Sequence, residues 1–304
     1  MTRALRLGTR GSALAMAQSG LVATAITERS GRGVELVEIT TAGDLSSAPI
    51  AQLGGTGVFV SALREALLAG DIDVAVHSYK DLPTAPGAGL TIAAVPTRED
   101  PRDVLVARDG LTLRELPAGA RVGTGAPRRV AQLNALKAGL ECVPIRGNVD
   151  TRLRKVTSGE LDAVVLAHAG LSRLDRAAEV TDVLDPQVVL PAPAQGALAV
   201  ECRSDDTAMV TLLGALDDPH TRAAVVAERA LLAALEAGCS APVGALAEIR
   251  GTEVHLQGGV IALDGSAALR RSASGPLDDA DAIGRRLAAT LLDAGATTLM
   301  GSTR

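Results

Sequence analysis

Apolar and polar positions along the first third of the chain follow the pattern of short strands joined by amphipathic helices. Arg3–Leu7 reads as a strand, and Gly8-Thr9-Arg10-Gly11-Ser12 as the turn that ends it. Ser12 is placed to N-cap a helix through about Glu28, with Leu14, Leu21, Val22 and Ala25 as its apolar stripe. Val34–Ile39 is a second strand, and Thr40–Gly55 is a long Gly/Ser/Ala-rich loop, a candidate lid. A helix from about Val58 to Ala69 leads to a strand at Asp73–Val76.

The same order then repeats. Arg121–Thr124 is a strand, Pro127 suits the first position of a helix, and Gly139 suits its C-terminal cap. Glu141–Ile145 is a strand, Arg146-Gly147-Asn148 opens a short helix to about Thr157, and Asp162–Ala167 is the next strand. Two βαβαβ patterns with Val/Ala/Leu/Ile-rich strands predict two parallel-sheet domains with a cleft between them. The last third differs. A helix from about Pro219 to Glu236 precedes Gly238-Cys239-Ser240-Ala241-Pro242. Strands follow at Val243–Ile249, Glu253–Leu263 and Ala267–Ala273, with Asp264-Gly265 as a hairpin turn, and a helix from about Asp278 to Asp293 ends the pattern. This is a small α+β domain.

The chain has 304 residues, which suits two or three domains, and its 47% hydrophobic and 21% charged residues read as globular and soluble. No apolar run approaches membrane length, and Met1–Leu7 runs straight into strand-like sequence without a signal or transit peptide, so the expected compartment is the cytoplasm. Aromatics are nearly absent: Phe59 and Tyr79 stand alone, with no Trp. That argues against base stacking, and a net charge of −5 opposes nonspecific nucleic-acid binding. Cys142, Cys202 and Cys239 form neither a metal-ligand pattern nor a disulfide framework. Cys142 and Cys202 lie in apolar runs and read as core residues. Cys239 lies in a loop that exposes its thiol, as a covalent attachment point requires.

Candidate chemistry collects where strands end. Asp73-Val74-Ala75-Val76-His77-Ser78-Tyr79-Lys80-Asp81-Leu82-Pro83-Thr84 carries an apolar run into a Lys-Asp pair. Ligands of open α/β sheets bind beyond the carboxyl ends of strands, and such a pair suits a small molecule with both charge signs. An isolated Lys-Asp is otherwise a weak surface ion pair. Arg10, Arg128, Arg129, Arg146 and Arg152 lie at strand ends and in first helical turns. A cation there opposes the helix dipole, so the placement costs stability and points to anion recognition. Taken singly, each is as readily a solvated arginine. Gly54-Gly55-Thr56-Gly57 and Gly123-Thr124-Gly125 complete no nucleotide-binding fingerprint. A solute-binding protein with two lobes, and a phosphate-binding protein using the arginines, are the rival readings.

The joint occurrence of Leu7–Ser12, Thr41-Ala42-Gly43-Asp44, His77–Thr84, Gly123–Arg129, Arg146–Arg152, Pro193–Ala197 with Glu201-Cys202-Arg203, and Gly238-Cys239 resembles the porphobilinogen deaminase (hydroxymethylbilane synthase) family along essentially the whole chain. The resemblance implies two α/β, type II periplasmic-binding-protein-like domains with parallel or mixed sheets, plus the small α+β domain. The first domain takes residues 1–98 and 197–216 with a lid at 42–57, the second 99–196, and the third 217–304. It implies a transferase that joins four porphobilinogen molecules on a dipyrromethane cofactor bound to Cys239, without metal, acting as a monomer without nucleic-acid or membrane partners.

By the same resemblance Asp81 is the catalytic carboxylate. Lys80, Asp81, Thr124, Gly125, Ala126, Arg128, Arg129, Arg146 and Gly147 surround the cofactor. Arg10, Ser12, Phe59, Arg146, Arg152, Arg173 and Gln195 serve the substrate. The chain departs from the family pattern at Gly125 and Ala126, where serines are usual, and at Thr56, where the lid often carries lysine.

Overall fold

The computed structural model describes residues 3–40, 58–238 and 241–300, and divides into two compact units: 1–98 with 197–222, and 99–196 with 223–304. In the first unit the chain runs β1 (Leu5–Thr9), α1 (Ala13–Ser30), β2 (Val34–Glu38), α2 (Val58–Ala69), β3 (Val74–Ser78) and β4 (Leu90–Ala94). In the second it forms β5 (Asp103–Ala107), β6 (Arg121–Gly123), α3 (Pro127–Ala135), β7 (Glu141–Val143), α4 (Val149–Thr157), β8 (Ala163–Ala167), α5 (His168–Ser172) and β9 (Asp182–Val183). It returns to the first unit as β10 (Leu198–Arg203) and α6 (Thr207–Gly214). Helix α7 (Pro219–Ala234) leads to β11 (Val243–Arg250), β12 (Glu253–Ile261), β13 (Ala268–Pro276), α8 (Ala280–Asp293) and α9 (Ala296–Met300). No described helix is long and apolar enough to cross a membrane.

Both five-stranded sheets share one plan. The first is ordered β2-β1-β3-β10-β4 and the second β7-β6-β8-β5-β9. In each, three parallel strands are followed by an antiparallel strand, β10 or β5, with a last strand beyond it. The βαβαβ pattern foretold the parallel strands. The sheets are nevertheless mixed, because the antiparallel strand of each enters where the chain arrives from the other unit. β4, β5 and β9 carried no expectation.

Helices cover both faces of the first sheet. Val22 and Ile26 of α1 and Met209 and Leu213 of α6 pack on Leu5, Leu7, Val74, Val76 and Val200. Leu63 and Leu67 of α2 pack on the other side with Ile72 and Ala75. Of the stripe expected on α1, Val22 is buried and Ala25 packs against the core, whereas Leu21 is exposed and Gln18, Ser19 and Ile26 are buried beside Val22. Strands β1 and β3 run two residues further than predicted, to Thr9 and Ser78, because ladder pairing rather than local turn chemistry sets their ends. Helix α3 stops at Ala135, short of the expected Gly139, because Lys137 already takes a positive φ of 53°. The three-stranded sheet β11-β12-β13 matches the predicted hairpins and packs on α7, α8 and α9, which makes the C-terminal region a small α+β layer.

Within the second unit the segment from Leu190 to Gly196 is a strap held at almost every residue. Leu190 N–H donates to Gln132 Oε1 (2.7 Å), and Ala245 N–H donates to Pro191 O (2.9 Å). Ala194 N–H donates to Glu228 Oε2 (2.6 Å), while Glu228 Oε1 accepts from Ala247 N–H (2.7 Å). Gln195, 1% exposed, donates from Nε2 to Asp103 Oδ1 and Pro101 O, both at 2.8 Å.

Asp103 itself is wholly buried at the start of β5. Its Oδ2 accepts from Arg128 NH1 (2.7 Å), and its Oδ1 from Arg129 Nε (3.1 Å) and NH2 (2.7 Å). Burial pushes the Asp103 carboxyl up, but the two guanidinium charges and their hydrogen bonds outweigh it and hold the group well below the usual carboxylate range. A carboxyl depressed in this way adds stability above its unfolded pKa and loses it only as pH falls through the folded value. Replacement by Asn leaves two buried arginines without a counter-ion. Asp103→Asn is expected to lose about 3–5 kcal/mol at neutral pH, read from denaturant unfolding. Its deficit relative to wild type should shrink only at strongly acidic pH.

Candidate active site

Many of the sequence-predicted residues lie, within each unit, in the chain beyond the carboxyl ends of the parallel strands. In the first unit β1 and β3 are adjacent and parallel, with Leu7 opposite Val74 and Gly8 opposite Ala75. Chain leaving β1 therefore carries Arg10 and Ser12 to the same sheet edge as chain leaving β3 carries Lys80 and Asp81. Ser12 caps α1 as expected, its Oγ accepting from Ala15 N–H at 3.3 Å. β3 passes directly into a short 3-10 turn, Tyr79–Asp81. Tyr79 is buried, Lys80 half-buried and Asp81 exposed. The ring of Tyr79 thus anchors the turn while the carboxylate faces outward. Gln18 of α1 donates from Nε2 to Ser78 Oγ at 3.0 Å, joining the helix to the end of β3. No residue pattern in the sequence marked Gln18. A buried amide on an otherwise apolar helix face was the available signal.

In the second unit β6 lies beside β7 and β8, all parallel. The chain beyond them carries Thr124-Gly125-Ala126 and Arg146-Gly147, and, through α5, Arg173. Thr124 is buried, while Gly125, Arg146 and Gly147 are exposed. A Cβ at Gly125 would stand 2.7 Å from Ile145 O. The glycine thus lets the loops after β6 and β7 approach closely. Gly147 takes φ 100° and turns the chain into α4, where Asn148 caps the helix through Thr151 N–H at 2.9 Å. Arg152 Nε donates to Gly147 O (2.9 Å), so this arginine braces the loop that presents Arg146. Arg173 is half-buried and donates from NH2 to Gly196 O (2.6 Å). Burial lowers its pKa from an ordinary arginine's value.

Arg128 and Arg129 differ from the sequence-based picture of cations held against a helix dipole for a ligand alone. Both are buried and bound to Asp103, so the fold itself offsets the cost that pointed to ligand binding. The two are not equivalent. Arg129 uses Nε and NH2 on Asp103 and NH1 on Val165 O (2.8 Å). Arg128 uses NH1 on Asp103 and Leu190 O, and among the described residues no bond engages its Nε or NH2. Two arginines against one aspartate leave one surplus positive charge. It sits at the start of α3, whose N-cap, Ala126, makes no side-chain cap bond. This end of the helix suits an anion.

Gln195, expected to serve the substrate, is buried in the strap and bonded to Asp103. Its place is explained by packing. Phe59 lies in the first turn of α2, and its side chain is outside the described residues. Cys239 and the expected lid at 42–57 also lie outside them. Cys202 is fully buried and Cys142 half-buried, in keeping with core roles. Among the described residues no group of His, Cys, Asp and Glu is arranged to hold a metal.

Comparison with known proteins adds the family. Residues 5–211 match the model "Porphobilinogen deaminase, dipyromethane cofactor binding domain", and residues 222–293 match "Porphobilinogen deaminase, C-terminal domain". Porphobilinogen deaminase 1 of Streptomyces coelicolor is 61% identical over 312 residues, covering 98% of this chain and 98% of that protein. Porphobilinogen deaminase of Mycobacterium bovis is 57% identical over 309 residues, covering 99% of each. Among solved structures, an ABC transporter periplasmic substrate-binding protein from Coxiella burnetii aligns with TM-score 0.45 at 14% identity, over 74% of this chain and 96% of that one. With both family models matched in order and relatives alike from end to end, the chain belongs to the porphobilinogen deaminase family.

Proposed function

We propose that this chain is a hydroxymethylbilane synthase in which Asp81 is the catalytic group. The enzyme condenses four porphobilinogen molecules head to tail, releases ammonia at each addition, and frees the linear tetrapyrrole by hydrolysis. The observation that carries the residue assignment is the exposed Asp81 carboxylate on a short turn at the carboxyl end of β3, in a chain of this family.

The chemistry asks for two things, and the residues offer both. Each pyrrole brings an acetate and a propionate, so the substrate and the growing product are anions. Arg10, Ser12, Arg146, Arg152 and Arg173 are assigned to these carboxylates. Each charge-assisted hydrogen bond contributes about 1.5–3 kcal/mol, so a few of them hold a polyanion. Arg152 is assigned with its Nε kept on Gly147 O, and Arg173 with NH2 kept on Gly196 O. Loss of the amine from the aminomethyl carbon leaves positive charge spread over the pyrrole ring. A carboxylate held at the ring N–H stabilises that charge as it develops, and the same oxygen can take or return a proton. Asp81 is assigned both roles, and Lys80 beside it pairs with a carboxylate.

The residues present fit a carboxylate-bearing dipyrromethane. The uncapped start of α3 at Ala126 and the surplus charge of Arg128 and Arg129 favour an anion. Thr124, Gly125, Gly147, Arg146, Lys80 and Asp81 complete the assigned set, with Arg128 rather than Arg129 as the member with nitrogens to spare. Gln195 is assigned to the strap and Phe59 to the substrate. The Cys239 thiol is the assigned anchor. When bound, the dipyrromethane supplies the nucleophilic pyrrole carbon to which the first substrate is joined. The three-domain division at 1–98 with 197–216, 99–196 and 217–304 belongs to this reading, as do a monomeric state and a cytoplasmic location.

Intact mass tests the anchor. Wild type is expected to carry the mass of a dipyrrole, and Cys239→Ala to carry none even after incubation with porphobilinogen. An unmodified wild type that stays unmodified with substrate overturns the assignment. For the catalytic group, ammonia release by Asp81→Asn should fall by at least about 100-fold, with the cofactor mass retained. Near-normal turnover removes Asp81 from the mechanism.

A further inference from the structure

A buried charge cluster lies next to the Asp81 turn in the first unit. Glu201 on β10 is 1% exposed, and His77, the residue before the last of β3, is 6% exposed. The strands are paired antiparallel, Glu201 opposite Ala75 and Ala199 opposite His77. Arg64 on α2 donates from Nε to both Glu201 oxygens (3.1 Å each) and from NH2 to Oε1 (2.8 Å). His77 Nε2 lies 3.1 Å from Glu201 Oε2. Burial pushes Glu201 up, but hydrogen bonds from His77 and Arg64 outweigh it and hold the carboxyl below its ordinary value. Glu201 is therefore ionised, with Arg64 as a permanent counter-charge.

A second contact brings Arg64 to the far side of the same turn. A Cβ at Gly87 would lie 3.1 Å from Arg64 Cζ and 3.2 Å from its Nε. The guanidinium thus packs against the backbone that returns from Asp81 toward β4. One ion pair holds His77 before the Lys80–Asp81 turn and bears on Gly87 after it.

We infer that the Arg64–Glu201 pair is a positioning element for the Lys80–Asp81 turn. The inference rests on the assignment of Asp81 above. The charged groups around His77 and Glu201 are few. Arg64 comes from α2, Lys80 and Asp81 follow on the turn, and Arg203 and Asp206 come after Glu201. β4 offers Ile92 opposite Glu201, and Arg6 of β1 is bound to Asp73. Without Arg64, Glu201 depends on His77. Arg64 supplies the counter-charge that burial of Glu201 requires, because arginine stays charged.

The test measures kcat and KM of the cofactor-loaded enzyme. Arg64→Met should lower kcat on the order of 10- to 100-fold with little change in KM. Arg64→Lys should restore much of kcat, and Arg64→Met combined with Glu201→Gln should cost no more than Arg64→Met alone. A kcat for Arg64→Met equal to that of wild type, or a loss confined to KM, overturns the inference. Should Arg64→Met fail to fold or to load, judged by melting and intact mass, Glu201→Gln decides: reduced kcat at unchanged KM supports the positioning role, and normal kcat removes it. Failure of the functional reading is separate, since it appears as a wild type that releases no ammonia from porphobilinogen, or as an active Asp81→Asn.

Discussion

A single carboxylate, Asp103, fixes the geometry of the second unit. It is wholly buried, and burying an ion costs several kcal/mol unless partners converge on it. Here they do, from Arg128 NH1, Arg129 Nε and NH2, and Gln195 Nε2. The donors come from α3 and from the strap between Leu190 and Gly196, while the acceptor opens β5. None of the three segments can satisfy its buried polar groups alone, so they order together. The same bonds aim α3 so that its uncapped start faces the loop after β6. They also leave one positive charge in surplus there. A stability device and an anion-attracting device are thus built from the same side chains.

The first unit repeats the arrangement with different residues. Its antiparallel strand, β10, also carries a buried carboxylate, Glu201, bound by an arginine from a helix, Arg64 of α2. In each sheet the antiparallel strand is the one that arrives from the other unit, and in each its acid is held by local cations. A strand inserted from a distant part of the chain needs something more specific than apolar pairing to set its register. A buried, fully hydrogen-bonded ion supplies it, because a slip of one residue would strand the charge. The Lys80–Asp81 turn and the uncapped start of α3 lie within a few residues of these two ion clusters.

The interior shows what a chain almost without aromatics must do. Core residues are Ala, Val, Leu and Ile, which fill space only if elements approach closely. Helix α8 does so at Gly284, where a Cβ would stand 2.3 Å from Ala227 O and 2.7 Å from Ala230 Cβ of α7. Gly258 of β12 likewise admits Leu231, where a Cβ would meet a methyl at 2.6 Å. The layer built this way holds α7, whose chain continues toward Cys239. Glu228 of α7 binds both the strap and β11, which ties that layer to the rest of its unit.

The sequence by itself determined the local elements and which residues stand at strand ends. Helix α2 was predicted at its observed bounds, Ser12 caps α1, Pro127 opens α3, and the last hairpin falls where Asp264-Gly265 puts it. These follow from periodicity and turn chemistry over a few residues. Lys80, Asp81, Arg146 and the Gly125 loop were legible because strand ends are visible in the pattern. Tertiary structure alone decided that Leu21 faces solvent, that β10 and β5 run antiparallel, and that Arg129 spends its donors on Asp103. It also decided that Arg64 meets Glu201 across a sequence separation of 137 residues. A local pattern records which residue is charged. Which charge it meets is set by the order of strands in the sheet, and burial makes that pairing obligatory.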